Sequence, residues 1–174
     1  MALPQQVFGH GFLLNRGQKE SKSLGNVTDP MELADRYGVD VLRYFLMREI
    51  SFGQDGSYSA EAIVTRCNAE LANSFGNLAQ RVLSMIFKNL DGQLRGDLET
   101  EPEDTRLEMT VRGSIGTMTT LFGHLDFSDA LEAWMQAVFA CNQYVDEMAP
   151  WALRKSDPER MAGVLMVLFR CVRD

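Results

Sequence analysis

The stretch over residues 126–151 reads DFSDALEAWMQAVFACNQYVDEMAPW and gives the clearest indication of the architecture. Its large apolar residues alternate between spacings of four and three, which places them on one face of an α-helix. Asp126 and Ser128 are favourable capping residues at its start, and Pro150 breaks the pattern. The apolar face consists of Phe127, Leu131, Trp134, Val138, Cys141, Val145 and Met148. The pattern predicts one long amphipathic helix that ends before Pro150.

The same spacing recurs on both sides of this helix and extends the prediction to a bundle. The chain is expected to be helical from Ser59 to the pair Asp91-Gly92, and a second helix is expected over about residues 103–121. Within the first of these stretches the apolar residues that again step by four and three are Leu71, Phe75, Leu78, Val82 and Met85. Asp157-Pro158 is a helix start that opens a last apolar stripe. Residues 57–174 are therefore predicted to be mainly α, as an antiparallel helical bundle.

The first 56 residues have a different pattern. Val7 to Leu14 reads as a strand, Asn15-Arg16-Gly17 as a turn, and residues 18–26 as an exposed loop. We expect that strand to have no partner within the sequence, so residues 1–28 are predicted to be a short α/β remnant of another domain. Asp29-Pro30 begins a helix that stops near Gly38, a second helix runs from about residue 40 to 49, and residues 51–57 form a linker.

Composition narrows the class of protein. Hydrophobic residues make up 45% and charged residues 24% of the 174, the balance of a soluble globular protein. The sequence contains no apolar run near the ~20 residues that span a membrane, and its start lacks the features of a signal peptide, so we expect a cytoplasmic protein. Three cysteines without a C-x-x-C pair give no support for zinc or disulfides.

A net charge of −7 argues against a nucleic-acid partner, because phosphates favour basic surfaces. The charge is unevenly distributed. Residues 91–110 contain seven acidic and two basic residues, a net charge of −5, whereas residues 1–28 have a net charge of +2. The acidic segment could face away from a polyanion, and recognition of a few unpaired bases relies on stacking and base-edge hydrogen bonds rather than on overall charge.

The first candidate functional site is a polar segment, which we call the signature loop. It reads Lys19-Glu20-Ser21-Lys22-Ser23-Leu24-Gly25-Asn26. Two lysines three residues apart can stabilise negative charge on a departing pyrophosphate, and the hydroxyls of Ser21 and Ser23 can add hydrogen bonds. On composition alone, a solvated loop is the simpler alternative.

The signature loop resembles the K-M-S-K-S motif of class I aminoacyl-tRNA synthetases in its usual setting, K-M-S-K-S-x-G-N. His10-Gly11 precedes it at the usual interval, and the segments that start at Asp29-Pro30 and Asp40-Val41 follow as in that family. The resemblance implies that Lys22 contacts ATP and stabilises the transition state of amino-acid activation, and that Lys19 assists. Glu20 departs from the motif, where Met is usual. His10 is a candidate to line the ATP site, and a structural histidine at a strand end is the alternative.

Two further segments narrow the resemblance to the methionyl-tRNA synthetase family. Residues 73–81, NSFGNLAQR, are similar to its N-x-x-x-N-L-x-x-R segment, and residues 142–151, NQYVDEMAPW, to its N-x-Y-x-x-x-x-x-P-W segment. The resemblance implies that Asn77, Arg81 and Trp151 recognise the CAU anticodon. Asn77 and Arg81, four residues apart, share a helix face and suit base edges, while an exposed indole can stack a base. A solvated helix face and a core tryptophan are the alternatives.

Taken together, these similarities suggest the C-terminal part of a methionyl-tRNA synthetase, which joins methionine to tRNA(Met) through methionyl-adenylate with ATP and Mg²⁺. Residues 1–28 would end the nucleotide-binding catalytic domain, residues 29–56 would form the module that contacts the tRNA stem, and residues 57–174 would bind the anticodon. The N-terminal catalytic domain and the H-I-G-H motif lie outside the sequence, so we expect no activity from this part alone. Another class I synthetase, or a helical interaction module without activity, remains open.

Overall fold

The structure is a computed structural model that describes residues 3–4, 6–94 and 99–174. The chain divides into two compact units. The first comprises Met1–Cys67 and Thr120–Glu132, and the second comprises Asn68–Thr119 and Ala133–Asp174. The predicted division into three functional modules, at residues 28 and 56, stays a prediction.

A small three-stranded sheet begins the first unit. Strand β1 (Leu13–Asn15) lies between β2 (Gln18–Lys19) and β3 (Gly56–Tyr58), antiparallel to β2 and parallel to β3. The two residues between β1 and β2, Arg16 and Gly17, both have positive φ, 50° and 78°. Such a turn matches the twist of a hairpin, and glycine adopts it without a Cβ clash.

This sheet corrects two predictions. The expectation of a strand without partners is wrong, because β1 is hydrogen-bonded on both sides within the chain. The partners were missed because β2 and β3 have only two and three residues, too few to display alternation. The predicted linker at residues 51–57 likewise supplies the start of β3.

Three helices accompany the sheet in the first unit: α1 (Pro30–Tyr37), α2 (Val39–Glu49) and α3 (Ala60–Cys67). The side chain of Asp29 accepts a hydrogen bond of 2.8 Å from the Met31 amide, and Pro30 occupies the first helical position, as predicted. Phe45 and Ile63 are fully buried at the centre of this unit. The Arg48 guanidinium pairs with the Glu132 carboxylate from residues 120–132.

The second unit is helical. A π-helical segment, Asn68–Gly76, leads directly into α4 (Asn77–Leu90). It is followed by α5 (Pro102–Gly123), α6 (Phe127–Met148), α7 (Pro150–Ser156) and α8 (Pro158–Arg173). The end of α5 and the start of α6 fall within Thr120–Glu132 and so belong to the first unit. Helix α8 packs against both α4 and α7, and its buried face includes Val164, Leu165 and Leu168. These elements confirm the predicted mainly α fold class, with a helical bundle preceded by a small α/β part.

A buried ionic network fixes the start of α5. The Asp104 carboxylate, with no exposed surface, accepts hydrogen bonds from both terminal nitrogens of Arg160 at 2.6 and 2.7 Å. It also accepts hydrogen bonds from the Tyr144 hydroxyl and, at 2.9 Å, from the Glu101 amide. The Glu101 bond satisfies one of the unpaired donors at a helix start. The network therefore joins α5, α6 and α8 inside the second unit.

Two classes of feature are absent from the part of the chain that the structure describes. None of its helices is both long and apolar enough to cross a bilayer. No three His, Cys, Asp or Glu side chains there lie close enough together to hold a metal ion.

Candidate functional site

The side chain of Asn26 shapes the signature loop in the first unit. Its amide oxygen accepts a hydrogen bond of 2.8 Å from the Ser21 amide, and its amide nitrogen donates one of 3.3 Å to the Lys19 carbonyl. Lys22 opens a single 3-10 turn, which Gly25 closes in the left-handed conformation at φ 65°. The residue at the end of the motif thus closes the loop back onto its beginning.

Both lysines of the loop are exposed. The Lys19 ammonium lies 4.0 Å from the centre of the Phe12 ring, a cation–π contact that directs the side chain along one side of the loop. The Ser21 and Ser23 hydroxyls are hydrogen-bonded to each other at 2.7 Å. Four of the predicted ATP-binding and catalytic residues therefore lie within one short, solvent-accessible segment.

His10, the fifth predicted nucleotide residue, is also exposed. Its Nδ1 lies 2.9 Å from the carbonyl oxygen of the neighbouring Gly11. This local bond holds the ring against its own backbone and leaves Nε2 as the nitrogen that could meet a ligand.

Glu20, the residue that departs from the motif, is held by two donors. Its carboxylate accepts hydrogen bonds from the Tyr58 hydroxyl and from the Thr28 amide, the latter at 3.2 Å. The bond from Tyr58 holds the pKa of Glu20 below its ordinary value, against an opposing effect of burial. Burial, reinforced by this carboxylate, raises the pKa of Tyr58. Sequence reasoning did not identify Tyr58, because the sequence alone gave no sign that residues 20 and 58 meet.

A cavity of about 240 Å³ lies beside Glu20 in the first unit. Glu20, Tyr58 and Thr28 supply its polar wall. The rest of the lining is apolar and consists of Leu13, Pro30, Leu33, Leu42, Phe45, Leu46 and Ile63. Position 20 of the signature loop therefore borders the core of its own unit, while positions 19 and 22 face solvent.

In the second unit, the predicted anticodon residue Arg81 is fixed by α6. One terminal nitrogen of its guanidinium donates a hydrogen bond of 2.9 Å to the Asn142 side-chain oxygen, and the other donates to the Asp146 carboxylate at 3.3 Å. Its side chain keeps 41% of its surface exposed. Its Nε is buried without a hydrogen-bond partner among the described residues. The guanidinium is thus oriented, and the remaining N–H groups of its two terminal nitrogens are the donors left for a ligand.

Asn142 connects three parts of this site. Besides accepting from Arg81, its amide nitrogen lies 3.0 Å from the Val138 carbonyl and 3.3 Å from the Ser74 carbonyl of the π-helical segment. Asn142 and Asp146 were not predicted as partners of Arg81. Their spacing of four residues on α6, which aligns side chains on a helix face, was the available signal.

The other two predicted anticodon residues are exposed. Asn77 is the first residue of α4 and lies one turn before Arg81. Trp151, at the second position of α7, exposes 54% of its surface, so it is not a core residue. Helices α4 and α7 both pack against α8 in this unit. By contrast, Trp134 packs against Phe75 with ring centres 5.3 Å apart and borders the core.

The comparisons with known proteins agree with these features. The family model described as tRNA synthetases class I (M) matches residues 1–83. The methionine–tRNA ligase of Rhizobium meliloti is 50% identical over 173 residues, which cover 99% of this chain and 34% of that protein. The ligase of Mycobacterium tuberculosis strain H37Rv is 51% identical over 157 residues, 90% of this chain and 30% of that protein.

Solved structures give the same result. The Mycobacterium tuberculosis methionyl-tRNA synthetase in complex with methionyl-adenylate superposes with a TM-score of 0.92 at 47% identity, over 99% of this chain and 35% of that one. Its apo form gives a TM-score of 0.88 at 44% identity. The chain spans about a third of the length of the curated relatives that it matches. Over that third, the chain is similar to methionine–tRNA ligases in sequence and to methionyl-tRNA synthetases in structure.

Proposed function

We propose that this chain is part of an enzyme that attaches methionine to tRNA(Met) through methionyl-adenylate, and that it contributes the signature loop and anticodon recognition. The proposed role in anticodon recognition rests on Arg81. Its guanidinium is oriented by Asn142 and Asp146 and is still 41% exposed. An arginine held in place in this way loses little freedom when it meets a base edge.

The anticodon bases would be recognised by three different interactions. Asn77 offers one donor and one acceptor group, and Arg81 offers a planar set of donors. Trp151 offers an exposed indole face, on which stacking contributes about 1–3 kcal/mol per base. Because none of these interactions requires a basic surface, the proposal is compatible with a net charge of −7.

The signature loop would act on ATP. Lys22 and Lys19 would stabilise the negative charge that develops on the departing pyrophosphate, with Lys22 as the principal catalytic residue. The Ser21 and Ser23 hydroxyls and the free edge of His10 would add polar contacts to the nucleotide. Mg²⁺ would enter bound to the phosphates of ATP, as is common for this ion.

The remaining parts of the enzyme would come from outside these 174 residues. Residues 1–28 would complete the catalytic domain, residues 29–56 would contact the tRNA stem, and residues 57–174 would hold the anticodon. We propose a cytoplasmic location, and we expect residues 1–174 alone to show no ATP–pyrophosphate exchange above a mock preparation.

Binding of anticodon stem-loops tests the proposal directly. Trp134 and Trp151 are the two tryptophans of the sequence, and only the exposed Trp151 should change its fluorescence when a base stacks on it. A stem-loop with CAU is titrated beside one with a single altered anticodon base. We expect tighter binding of the CAU loop, and loss of the fluorescence change in Trp151→Phe.

Arg81→Gln provides the quantitative test. Loss of a base-edge contact should weaken binding of the CAU loop by about 1–3 kcal/mol, a range transferred from DNA base recognition. Arg112→Gln is the matched control, since Arg112 is an exposed arginine on α5 of the same unit. Equal binding of both loops would defeat the anticodon assignment. Preference for another anticodon would favour a different class I synthetase, and no binding at all would favour an interaction module.

A further inference from the structure

We infer that Glu20 and Tyr58 are positioning residues that hold the signature loop in place, so that a polar latch in this chain replaces the methionine usual at position 20. This inference rests on the proposed role of the loop in ATP chemistry. The latch is defined here as Glu20, Tyr58 and Thr28.

The latch is anchored in the folded core rather than in the loop. Tyr58 ends β3, is only 5% exposed, and therefore cannot follow a moving loop. Its hydroxyl contacts both the Glu20 carboxylate and the Thr28 hydroxyl. The Glu20 carboxylate also receives the Thr28 amide at 3.2 Å. Residues 20 and 28, which lie on either side of Lys22, are thus both hydrogen-bonded to Tyr58 at the end of β3.

The latch acts together with the loop's internal bonds. Asn26 ties the Ser21 amide to the Lys19 carbonyl, and its own carbonyl accepts a hydrogen bond of 3.3 Å from Asn15 in β1. Residues on both sides of Glu20 are therefore constrained once Glu20 is held. The backbone that carries Lys19 and Lys22 then has a defined path before any nucleotide arrives, which reduces the entropy lost when the lysines engage phosphate.

The chemistry of position 20 explains why a charged residue is tolerated beside an apolar cavity. The other lining residues of the cavity are mainly aliphatic and aromatic, and methionine would fill such a space by apolar contact alone. A half-buried carboxylate in the same place is stabilised by donors, because an unpaired charge beside an apolar surface loses part of its hydration. Tyr58 and Thr28 provide them, so glutamate holds the loop by hydrogen bonds to an ionised group, which are stronger than neutral ones.

Hydrogen–deuterium exchange on the 174-residue chain tests the latch without any assay of activity. Tyr58→Phe removes the hydroxyl and keeps the buried ring. We expect amides of residues 19–26, including that of Ser21, to exchange on the order of five- to tenfold faster, as for the loss of one hydrogen bond to a charged group at a partly exposed site. Tyr37→Phe is the matched control on α1 and should leave these amides unchanged. Unchanged exchange in Tyr58→Phe would overturn the inference.

A double-mutant cycle separates a latch from a general effect on folding. In a Glu20→Ala background, Tyr58→Phe should accelerate exchange by less than about twofold, because the bond to the carboxylate is already lost and only the weaker contact between the Tyr58 and Thr28 hydroxyls is removed. Equal acceleration in both backgrounds would show that Tyr58 acts independently of Glu20 and would refute the latch.

The effect of the latch on activity is tested in the protein in which residues 1–174 are joined to the rest of the synthetase. Tyr58→Phe should lower kcat of ATP–pyrophosphate exchange, expressed per titrated active site, about fivefold or more and leave the KM for methionine unchanged. A folding defect would lower only the number of active sites and leave the rate per active site unchanged. Faster amide exchange with unchanged kcat would overturn the positioning role. Absence of activity in the unsubstituted protein would instead refute the proposed function, and the exchange data on the latch would still stand.

Discussion

Substitution of Asp104 by asparagine should strongly destabilise the second unit. The carboxylate is fully buried and accepts bonds from Arg160, Tyr144 and the Glu101 amide. Asparagine has nearly the same shape but presents an NH₂ group where one oxygen faced a donor. It also leaves Arg160, whose side chain is only 12% exposed, with the half-exposed Glu101 carboxylate, 3.3 Å from its Nε, as its remaining counter-charge.

The magnitude follows from this burial. Removal of one partner of a buried ion pair costs about 3–5 kcal/mol. We expect the lower end of that range, because the Glu101 carboxylate, which is 55% exposed, still pairs with Arg160. Whole domains are stable by only about 5–15 kcal/mol. A loss of this size would therefore remove a large part of the stability of the unit. Tyr144→Phe removes one hydrogen bond and leaves the ion pair, so it should cost about 1–2 kcal/mol.

Urea unfolding followed by tryptophan fluorescence is the assay, because Trp134 and Trp151 both belong to the second unit. The midpoint should fall while the slope stays unchanged. Asp35→Asn, at an exposed position on α1, is the control for loss of one negative charge. A loss of less than about 1 kcal/mol in Asp104→Asn would refute the reasoning from burial.

The pH dependence gives an independent check. Burial alone would raise the pKa of Asp104, but hydrogen bonds from Arg160, Tyr144 and Glu101 outweigh it and hold that pKa below its ordinary value of 3.8. A depressed pKa contributes stability that is present above the unfolded value and is lost as the pH falls through the folded value. The difference between the wild-type protein and Asp104→Asn should thus be constant from about pH 5 to 8 and shrink below pH 3.8.

Three further substitutions should change stability in known directions. Phe45→Ala, at a fully buried position, should cost about 3–5 kcal/mol and expose the amides of α2 to hydrogen exchange. Ala149→Gly should raise the melting temperature, with a gain below about 1 kcal/mol, because Ala149 has a φ of 41° that glycine adopts without a Cβ clash. Gly17→Ala should cost roughly 1 kcal/mol, since its φ is 78°, and faster exchange of the β1–β2 amides would report it.

Features determined by local chemistry could be predicted from the sequence. The starts of α1 and α8 follow from an aspartate and a proline at adjacent positions, and both aspartates accept a hydrogen bond from the first turn. The exposure of Trp151 agrees with its position beside Pro150, where one helix ends and the next begins. In each case a few neighbouring residues determine the structure.

Features determined by distant residues could not be predicted. The parallel pairing of β1 with β3 joins positions more than forty residues apart through strands of three residues each. The contact between Glu20 and Tyr58 depends on that pairing. The π-helical segment was also missed, because the apolar spacing around Leu71 and Phe75 is compatible with an ordinary α-helix.

The length of that π-helical segment, Asn68–Gly76, determines the direction in which each side chain of α4 points around the helix axis. Each residue advances an α-helix by about 100°, so a single deletion among residues 68–72, upstream of the motif, would rotate Arg81 around the axis by a comparable angle. The guanidinium would then point away from Asn142, although every motif residue would still be present. A relative with an intact motif but one residue fewer in this segment should therefore be unable to present Arg81 in the same way.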